Sequence, residues 1–410
     1  MSLVGKHGYK ETAVGWVPED WRCEQLGGYL TLLTGAPFKS ELFSSDGGIP
    51  LIRIRDLLRG FSETGYVGEY DDRYLVNAGD VLVGMDGEFH VVRWKGSPAL
   101  LNQRVLKISE KPGHSDVGFL FFLVASVIGK IQDGISATTV KHLSTKDLQN
   151  LTAAIPPLPE QQKIAAVLTA VDGKLDVIAR QIEATQALKQ GLMQTLFSQG
   201  VANWPSVSLQ EVAEVRTGVA KGKKGLKEPI ELPYLRVANV QDGHIDLTEV
   251  KTITVEAAQV GRYALQSGDV LMTEGGDFDK LGRGDVWEGQ ISPCLHQNHV
   301  FAVRPAPSKL NSYYLAALAA SDYGRQYFLS CAKRTTNLAS INSSQLKAFP
   351  VLLPPLDEQV RIADIVAAAN ARIEILSTKK AHYQTLKRGL MKKLLTGEWR
   401  VKLDSPTGTA

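Results

Sequence analysis

The sequence predicts an α+β protein with a pseudo-twofold internal repeat: two globular domains of mixed strands, separated by two long antiparallel helices that pair as a coiled coil. Three observations predict it. The fragment "IPPLPEQQKIAAVL" from Ile155 is nearly rewritten as "LPPLDEQVRIADIV" from Leu353, 198 residues later. Each copy opens a stripe of apolar residues at helical spacing. The text ahead of each copy holds short alternating apolar runs between Gly and Asp turns. An interval this long is no solenoid period, which runs about 20 to 50 residues; half of the chain was copied onto the other half.

Residues 1–154 form the first domain. Its anchors are "DWRCEQLGGYL", "IPLIRIRDL" from Ile49, "NAGDVLVGMDGEF" from Asn77 and "LNQRVLKI" from Leu101. Runs such as Asp80–Val83 alternate and are bounded by Gly, which reads as strands. Residues 155–200 form the first long helix. Its seam is Ile164, Leu168, Val171, Leu175, Ile178 and Ile182, continued by Thr185, Leu188, Leu192 and Leu196. The steps of four and three make a heptad seam, narrower than the apolar face of a globular helix. Pro156 and Pro157 suit a helix start, and Gly200 is expected to follow its end.

Residues 201–352 form the second domain, whose anchors echo the first: "NWPSVSLQEVA", "LPYLRVANV", "QSGDVLMTEGGDF" and "QNHVFAV". Residues 353–400 form the second helix, with a seam of Ile362, Val366, Ile373, Leu376 and Leu390, joined by Leu386 and Leu394. Over residues 156–196 the two helices share 15 identities at that fixed offset; unrelated sequences give about two or three by composition. Residues 401–410 are expected to be a flexible tail. About 40 residues of helix make a rod of roughly 60 Å. Two such seams bury each other most simply, although each rod packing on its own domain is the plainer alternative.

Composition is that of an ordinary globular chain, 44% hydrophobic and 22% charged. No run of 18 apolar residues appears, so no membrane partner is expected; "GFLFFLVASVIG" from Gly118 is too short. The start lacks the apolar core of a signal peptide. Cys23, Cys294 and Cys331 are scattered, which fits a reduced, cytoplasmic protein. Net charge is +3, divided as −2 over residues 1–154, 0 over 155–203, +1 over 204–352 and +4 over 353–410. Binding to nucleic acid therefore requires folding to gather positive charge on one face.

These residues resemble the specificity subunit of type I restriction–modification enzymes. The carriers are the two "PPL-x-EQ" helix openings with their "LK-x-GLM" closings, "WVPEDW", "LIRIRDL", "GDVLVGMDGEFHVVRWKG" with "LLNQRV", and "GDVLMTEGGDFDKLGRG". The resemblance spans essentially the whole chain, and the order of motifs, twice over, is more specific than any one of them. It implies two target-recognition domains, each contacting half of a split double-stranded DNA sequence. It implies long helices that space the domains and dock two methyltransferase (modification) subunits, through which nuclease/translocase (restriction) subunits join. Catalysis of DNA methylation and cleavage would belong to those partners.

The residues agree with a non-catalytic role and with no cofactor. The only "PP" pairs, Pro156–Pro157 and Pro354–Pro355, lack the flanking residues of an adenine methyltransferase motif, and no G-x-x-x-x-G-K-[ST] occurs. Cys294, His296 and His299 are three possible zinc ligands where four are usual. "DGEFHVVRWKG" places acids ahead of a lysine, loosely like a nuclease core. Two rivals follow: a coiled-coil hub for proteins alone, and a stand-alone nuclease using Asp86 or Glu88.

Sequence-specific readers combine phosphate contacts with base-edge contacts; Arg fits guanine, Asn and Gln fit adenine. Candidates in the first domain are Arg53, Arg55, Arg93, Lys95, Gln103 and Arg104. In the second they are Lys221, Lys223, Lys224 and Lys227 of the basic loop "AKGKKGLK", with Arg236, Lys280, Arg283, Lys333 and Arg334. Each has a plain alternative as a solvated surface charge. Arg53 and Arg236 recur in both domains, which points to a duty in the shared fold. Trp94 and Phe89 read as core anchors. Lys379, Lys380, Lys387, Arg388, Lys392 and Lys393 are expected to face DNA, the methyltransferase or solvent.

Overall fold

The structure is a computed structural model that describes residues 7–134, 142–221, 225–276, 281–334 and 339–403. The chain divides into two compact units, Met1–Ile178 with Lys379–Ala410, and Ala179–Thr378. Eight strands and four helices position the candidate site. In the first unit β1 is Leu30–Thr34, β2 Val81–Gly84, β3 Val91–Arg93, β4 Val105–Glu110 and α1 Val117–Gly134. The long helix α2 is Leu158–Asn203. In the second unit β5 is Ala213–Thr217, β6 Val270–Thr273, β7 Gly284–Val286, β8 Val300–Pro305 and α3 Ser312–Ala320, and the long helix α4 is Leu356–Leu394.

The first unit holds an antiparallel sheet ordered β1-β4-β2-β3, with Leu32 opposite Ile108, Ile108 opposite Val81 and Leu82 opposite Val92. Alternation sends Val81, Val83, Leu106 and Ile108 into one core, while Leu82, Val105 and Trp94 enter another on the opposite face. The first core is closed by Phe119, Leu120, Phe122 and Leu123 of α1, by Ile164 and Leu168 near the start of α2, and by Leu394 and Leu395 at the end of α4.

The second unit repeats this plan in the order β5-β8-β6-β7. Val270, Met272, Phe301 and Val303 face a core completed by Tyr314, Leu315 and Leu318 of α3. Met193 and Phe197 come from the end of α2, and Ile362 from near the start of α4. Each unit, taken by itself, thus joins the start of one long helix to the end of the other, which is an antiparallel pairing. The α+β repeat expected from the sequence is the observed fold.

Repetition extends to single hydrogen bonds. The Asn77 amide donates to Asp80 at 2.8 Å, and the Gln266 amide to Asp269 at 2.8 Å. The Trp94 amide donates to the Asp80 carbonyl at 2.8 Å, and that of Trp287 to Asp269 at 2.7 Å. Each carboxylate then holds a cation from the neighbouring strand: Lys107 on Asp80 at 2.7 Å, and Arg304, through two nitrogens at 2.7 and 2.8 Å, on Asp269. Asp269 is fully buried, so the two-pronged guanidinium, whose own pKa rises through this bond, fits the drier of the two sites.

Three details depart from the sequence reading. Leu188 and Leu192 do not continue the seam of α2; Leu188 is 62% exposed, and Met193 and Phe197 are buried instead. Leu386 of α4 is likewise exposed, and Lys387 takes the inward place. A strict heptad drifts off one face of a straight helix, and each rod turns its last apolar residues to a globular core. Gly200 lies inside α2, which runs on to Asn203. A Cβ there would stand 2.3 Å from the Trp204 ring, so the glycine admits the indole and ends nothing. Gly397, by contrast, does follow α4, with φ +70°.

Candidate nucleic-acid interface

The recurring arginines face inward. The Arg53 amide donates to Asp56 at 3.0 Å, and its guanidinium donates to Thr64. The Arg236 amide donates to Asn239 at 2.9 Å, and its guanidinium reaches the Glu249 carbonyl and carboxylate at 3.4 Å. In both, Nε is buried without a hydrogen-bond partner among the described residues; Arg283 Nε is a third such atom. Arg93, on β3, lays its guanidinium over Phe121 and Phe122 of α1, 4.9 and 5.8 Å from the ring centroids. Arg53, Arg236 and Arg93 brace the domains through these contacts.

Of the remaining candidates Arg55, Lys95, Lys221, Lys227 and Lys333 are exposed. Arg55 stands 3.8 Å from Asp56, and Lys95 bonds Asp176 of α2 at 2.8 Å. Lys221 lies 5.6 Å from the centre of the Tyr234 ring; Lys227 and Lys333 face solvent. Lys223, Lys224 and Lys280, and the side chain of Arg334, lie outside the described residues. Trp94 and Phe89 are buried. On α4, Lys387 bonds Asp172 at 2.6 Å and Lys393 lies 4.2 Å from the centre of the Trp399 ring.

Gln103 and Arg104 occupy a special place. They are the middle residues of a turn closed by the Val105 amide on the Asn102 carbonyl at 2.9 Å. The Gln103 amide donates to Ala36 and the Met85 amide to the Arg104 carbonyl, both at 3.0 Å. The second unit builds the same turn around Asn298 and His299. There the Val300 amide bonds the Gln297 carbonyl at 2.8 Å, the Asn298 amide bonds Val219 at 3.0 Å, and the Glu274 amide bonds His299 at 3.0 Å. A glycine lets a second backbone segment approach each turn: a Cβ on Gly35 would lie 2.2 Å from the Leu101 carbonyl, and one on Gly218 2.1 Å from that of His296.

A carboxylate steers the basic tip in each unit. Arg104 Nη1 is 3.5 Å from Asp86, which also holds His142 at 2.6 Å. His299 Nδ1 is 2.5 Å from Glu274, and the Asn298 amide group is 3.4 Å from His299 Nε2. Sequence reading named Gln103 and Arg104. It did not name Asn298, and it took His299 only as a possible zinc ligand, because the anchors "LNQRVLKI" and "QNHVFAV" were aligned for their apolar residues, not for their turn tips.

The possible metal triad is dispersed by these bonds. Cys294 is buried, its thiol pushed up to about 12 by that burial; His296 Nδ1 meets the Val300 carbonyl at 2.6 Å; His299 meets Glu274. Among the described residues no group of three His, Cys, Asp or Glu side chains is placed to hold a metal ion. Around "DGEFHVVRWKG", Asp86, Glu88 and Lys95 turn to Arg104, His90 and Asp176 respectively, not to one another. No described helix is long and apolar enough to cross a membrane.

One scaffold is thus used twice, with different polar tips on the same fold. A family model described as "Type I restriction modification DNA specificity domain" matches residues 18–186 and 202–382, and the chain belongs to that family. It is 27% identical to the EcoBI specificity subunit of Escherichia coli, over 94% of this chain and 88% of that protein. It is 24% identical to the MjaVIII specificity subunit of Methanocaldococcus jannaschii, over 98% of each. In fold it matches the S subunit of the type I system of M. genitalium with a TM-score of 0.61 at 16% identity, over 92% of this chain and 96% of that one. The chain is a DNA specificity subunit and not itself an enzyme, and neither the protein-only hub nor the stand-alone nuclease finds support.

Proposed function

We propose that each unit's globular part reads one half of a bipartite duplex DNA target, that α2 and α4 set the spacing, and that the chain docks two methyltransferase subunits through which nuclease/translocase subunits join. The domain limits are those of the sequence reading, with recognition by residues 1–154 and 201–352, and the setting is the cytoplasm. The observation that carries this reading is the atom-level repeat of the scaffold, Asp80 matching Asp269 bond for bond, while the exposed turns between differ. Arg55, Gln103, Arg104, Lys221, Lys227 and Lys333 are exposed and free to approach DNA; Lys223 and Lys224, also proposed as DNA contacts, lie outside the described residues. Arg53, Arg93, Arg236 and Arg283 act by shaping the surface. The exposed Lys379, Arg388 and Lys392 of α4 serve DNA or the methyltransferase.

Exchanging residues 1–150 for those of a relative tests the reading. Methylation profiling of a host carrying the complex should show one half of a two-part motif changed and the other kept. A motif changed in both halves, or a one-part motif, would overturn it.

A further inference from the structure

We propose that the paired turn tips, Gln103–Arg104 in one unit and Asn298–His299 in the other, make the base-edge contacts that give each half-site its sequence. This rests on the two-headed reading above and assigns its specificity to four side chains.

Three features separate these tips from ordinary surface residues. First, their backbones are held alike, by a turn bond, a bond to the neighbouring segment and a bond from the residue just past the end of β2 or β6, at positions where glycine alone admits the close approach. Side chains on such a support keep their direction, which discrimination needs. Second, the chemistry repeats while the residues do not: an amide followed by a base. The amide of Gln or Asn pairs with adenine N6 and N7, and Arg pairs with guanine N7 and O6; His299, with Nδ1 on Glu274, offers Nε2, which as the imidazolium donates to one of those guanine acceptors. A residue serving only the fold would be kept, as Arg53 and Arg236 are. Third, Asp86 and Glu274 come from neighbouring strand ends to orient Arg104 and His299, which remain 57% and 54% exposed. The carboxylates are positioning residues. They fix the basic group's rotamer without covering it.

The two halves of the target should therefore differ in a defined way. The first half should hold an adenine and a guanine read by Gln103 and Arg104. The second should hold an adenine read by Asn298 and a guanine contacted once, by His299, with correspondingly weaker discrimination.

The test uses the complete chain assembled with its methyltransferase, acting on DNA libraries in which one half of the target is randomised at a time. Arg104→Ala should cut discrimination at one base pair of one half by roughly ten- to a hundredfold, leaving the other half intact. Arg104→Lys should do nearly the same, because it keeps the charge and loses the fork. His299→Ala should relax one position of the opposite half, and Asn298→Gln with His299→Arg should shift that half's preference. Glu274→Gln should lower the discrimination ratio at the His299 position, measured relative to binding of unrelated DNA by the same variant. A uniform loss over all sequences from Arg104→Ala, rescued by Arg104→Lys and with a salt slope reduced by about 0.9, would make this a phosphate contact and overturn the proposal. Unchanged motifs, or changes in both halves, would overturn it too. If the exchange of residues 1–150 changes one half while these point variants do not, the two-headed reading stands and the proposal alone falls.

Discussion

Gln161 and Gln359 make the same three hydrogen bonds in two different units. Gln161 accepts from the Asp116 amide at 3.0 Å and donates to the carbonyls of His114 and Pro156 at 3.1 and 3.0 Å. Gln359 accepts from the Asn311 amide at 2.8 Å and donates to Lys309 and Pro354 at 3.0 and 2.9 Å. Both side chains are buried. Each ties the first turn of a long helix to the segment that leads into the nearby domain helix, α1 or α3, which is why "EQ" is repeated. Replacing either with Leu leaves an amide and two carbonyls without partners in a dry place. Each variant should lose about 1–3 kcal/mol of stability, measured by urea unfolding. The loss should fall on the first unit for Gln161→Leu and on the second for Gln359→Leu, as resolved by hydrogen exchange.

Arg400 supports a bond with no twin among the described residues. It donates to Glu160 at 2.7 and 2.8 Å and to Asp20 at 2.9 and 2.7 Å, while the indole of Trp21 donates to Glu160 at 3.0 Å. Its pKa is pushed up, first by the Glu160 bond. Arg400→Ala leaves the Glu160 carboxylate buried with the indole alone. Breaking a buried pair costs about 3–5 kcal/mol. Here Arg400 is itself 41% exposed, and solvent screening reduces the expected loss to about 1–3 kcal/mol. Arg400→Ala with Glu160→Gln should recover part of it in a double-mutant cycle.

The second unit should weaken in mild acid. His296 is buried with Nδ1 on the Val300 carbonyl, and burial lowers its pKa below the ordinary 6.5. Asp269, Arg216 and Arg304 are the charged groups that act on it. With the folded value depressed, the unfolded chain binds the proton first. Stability is therefore full above about pH 6.5 and falls as pH drops from there toward the folded value. The first unit carries Leu101 at the same place. His296→Leu should flatten the dependence of the urea midpoint between pH 7.5 and 5.5, and an unchanged slope would refute the assignment.

The sequence made the architecture legible because repetition acts as its own control: fifteen matched identities and two proline openings mark both long helices. It missed where apolar stripes leave the helix pair for a globular core, since Leu188 and Met193 look alike without the core in view. It was least informative about the site. Arg53, Arg55, Arg93 and Arg104 are chemically equal in a string of letters. They part only when Thr64, Asp56, Phe121 and Asp86 come beside them. Turn tips are recognisable by backbone bonds to distant residues, such as Gln103 to Ala36, that no local pattern announces.

The two units also differ in how their globular parts grip the helices, and this gives the last prediction. In the first unit Lys387 bonds Asp172 and lies 5.5 Å from the centre of the Phe122 ring, with Arg93 over the same ring. At the repeat-equivalent places the second unit has Lys189, Asn370, Ala317 and Val286. A cavity of about 900 Å³ lies there, lined by Lys189, Ala316, Ala317, Asp285 and Asn370 among others. Lys189 makes no ion pair among the described residues, and its pKa is lowered by burial; that of Asp285 is raised by burial. Ala317→Phe with Asn370→Asp restores the ring and the carboxylate of the first unit. Burying the ring contributes about 1.5–3 kcal/mol, and a half-exposed ion pair adds up to about 1. The double variant should therefore raise the thermal midpoint of the second unit. Phe122→Ala in the first unit should cost about 3–5 kcal/mol by opening the matching hollow. Should the double variant prove less stable than the parent, the cavity would be required by the fold, and the correspondence between Lys189 and Lys387 would hold in sequence without holding in packing.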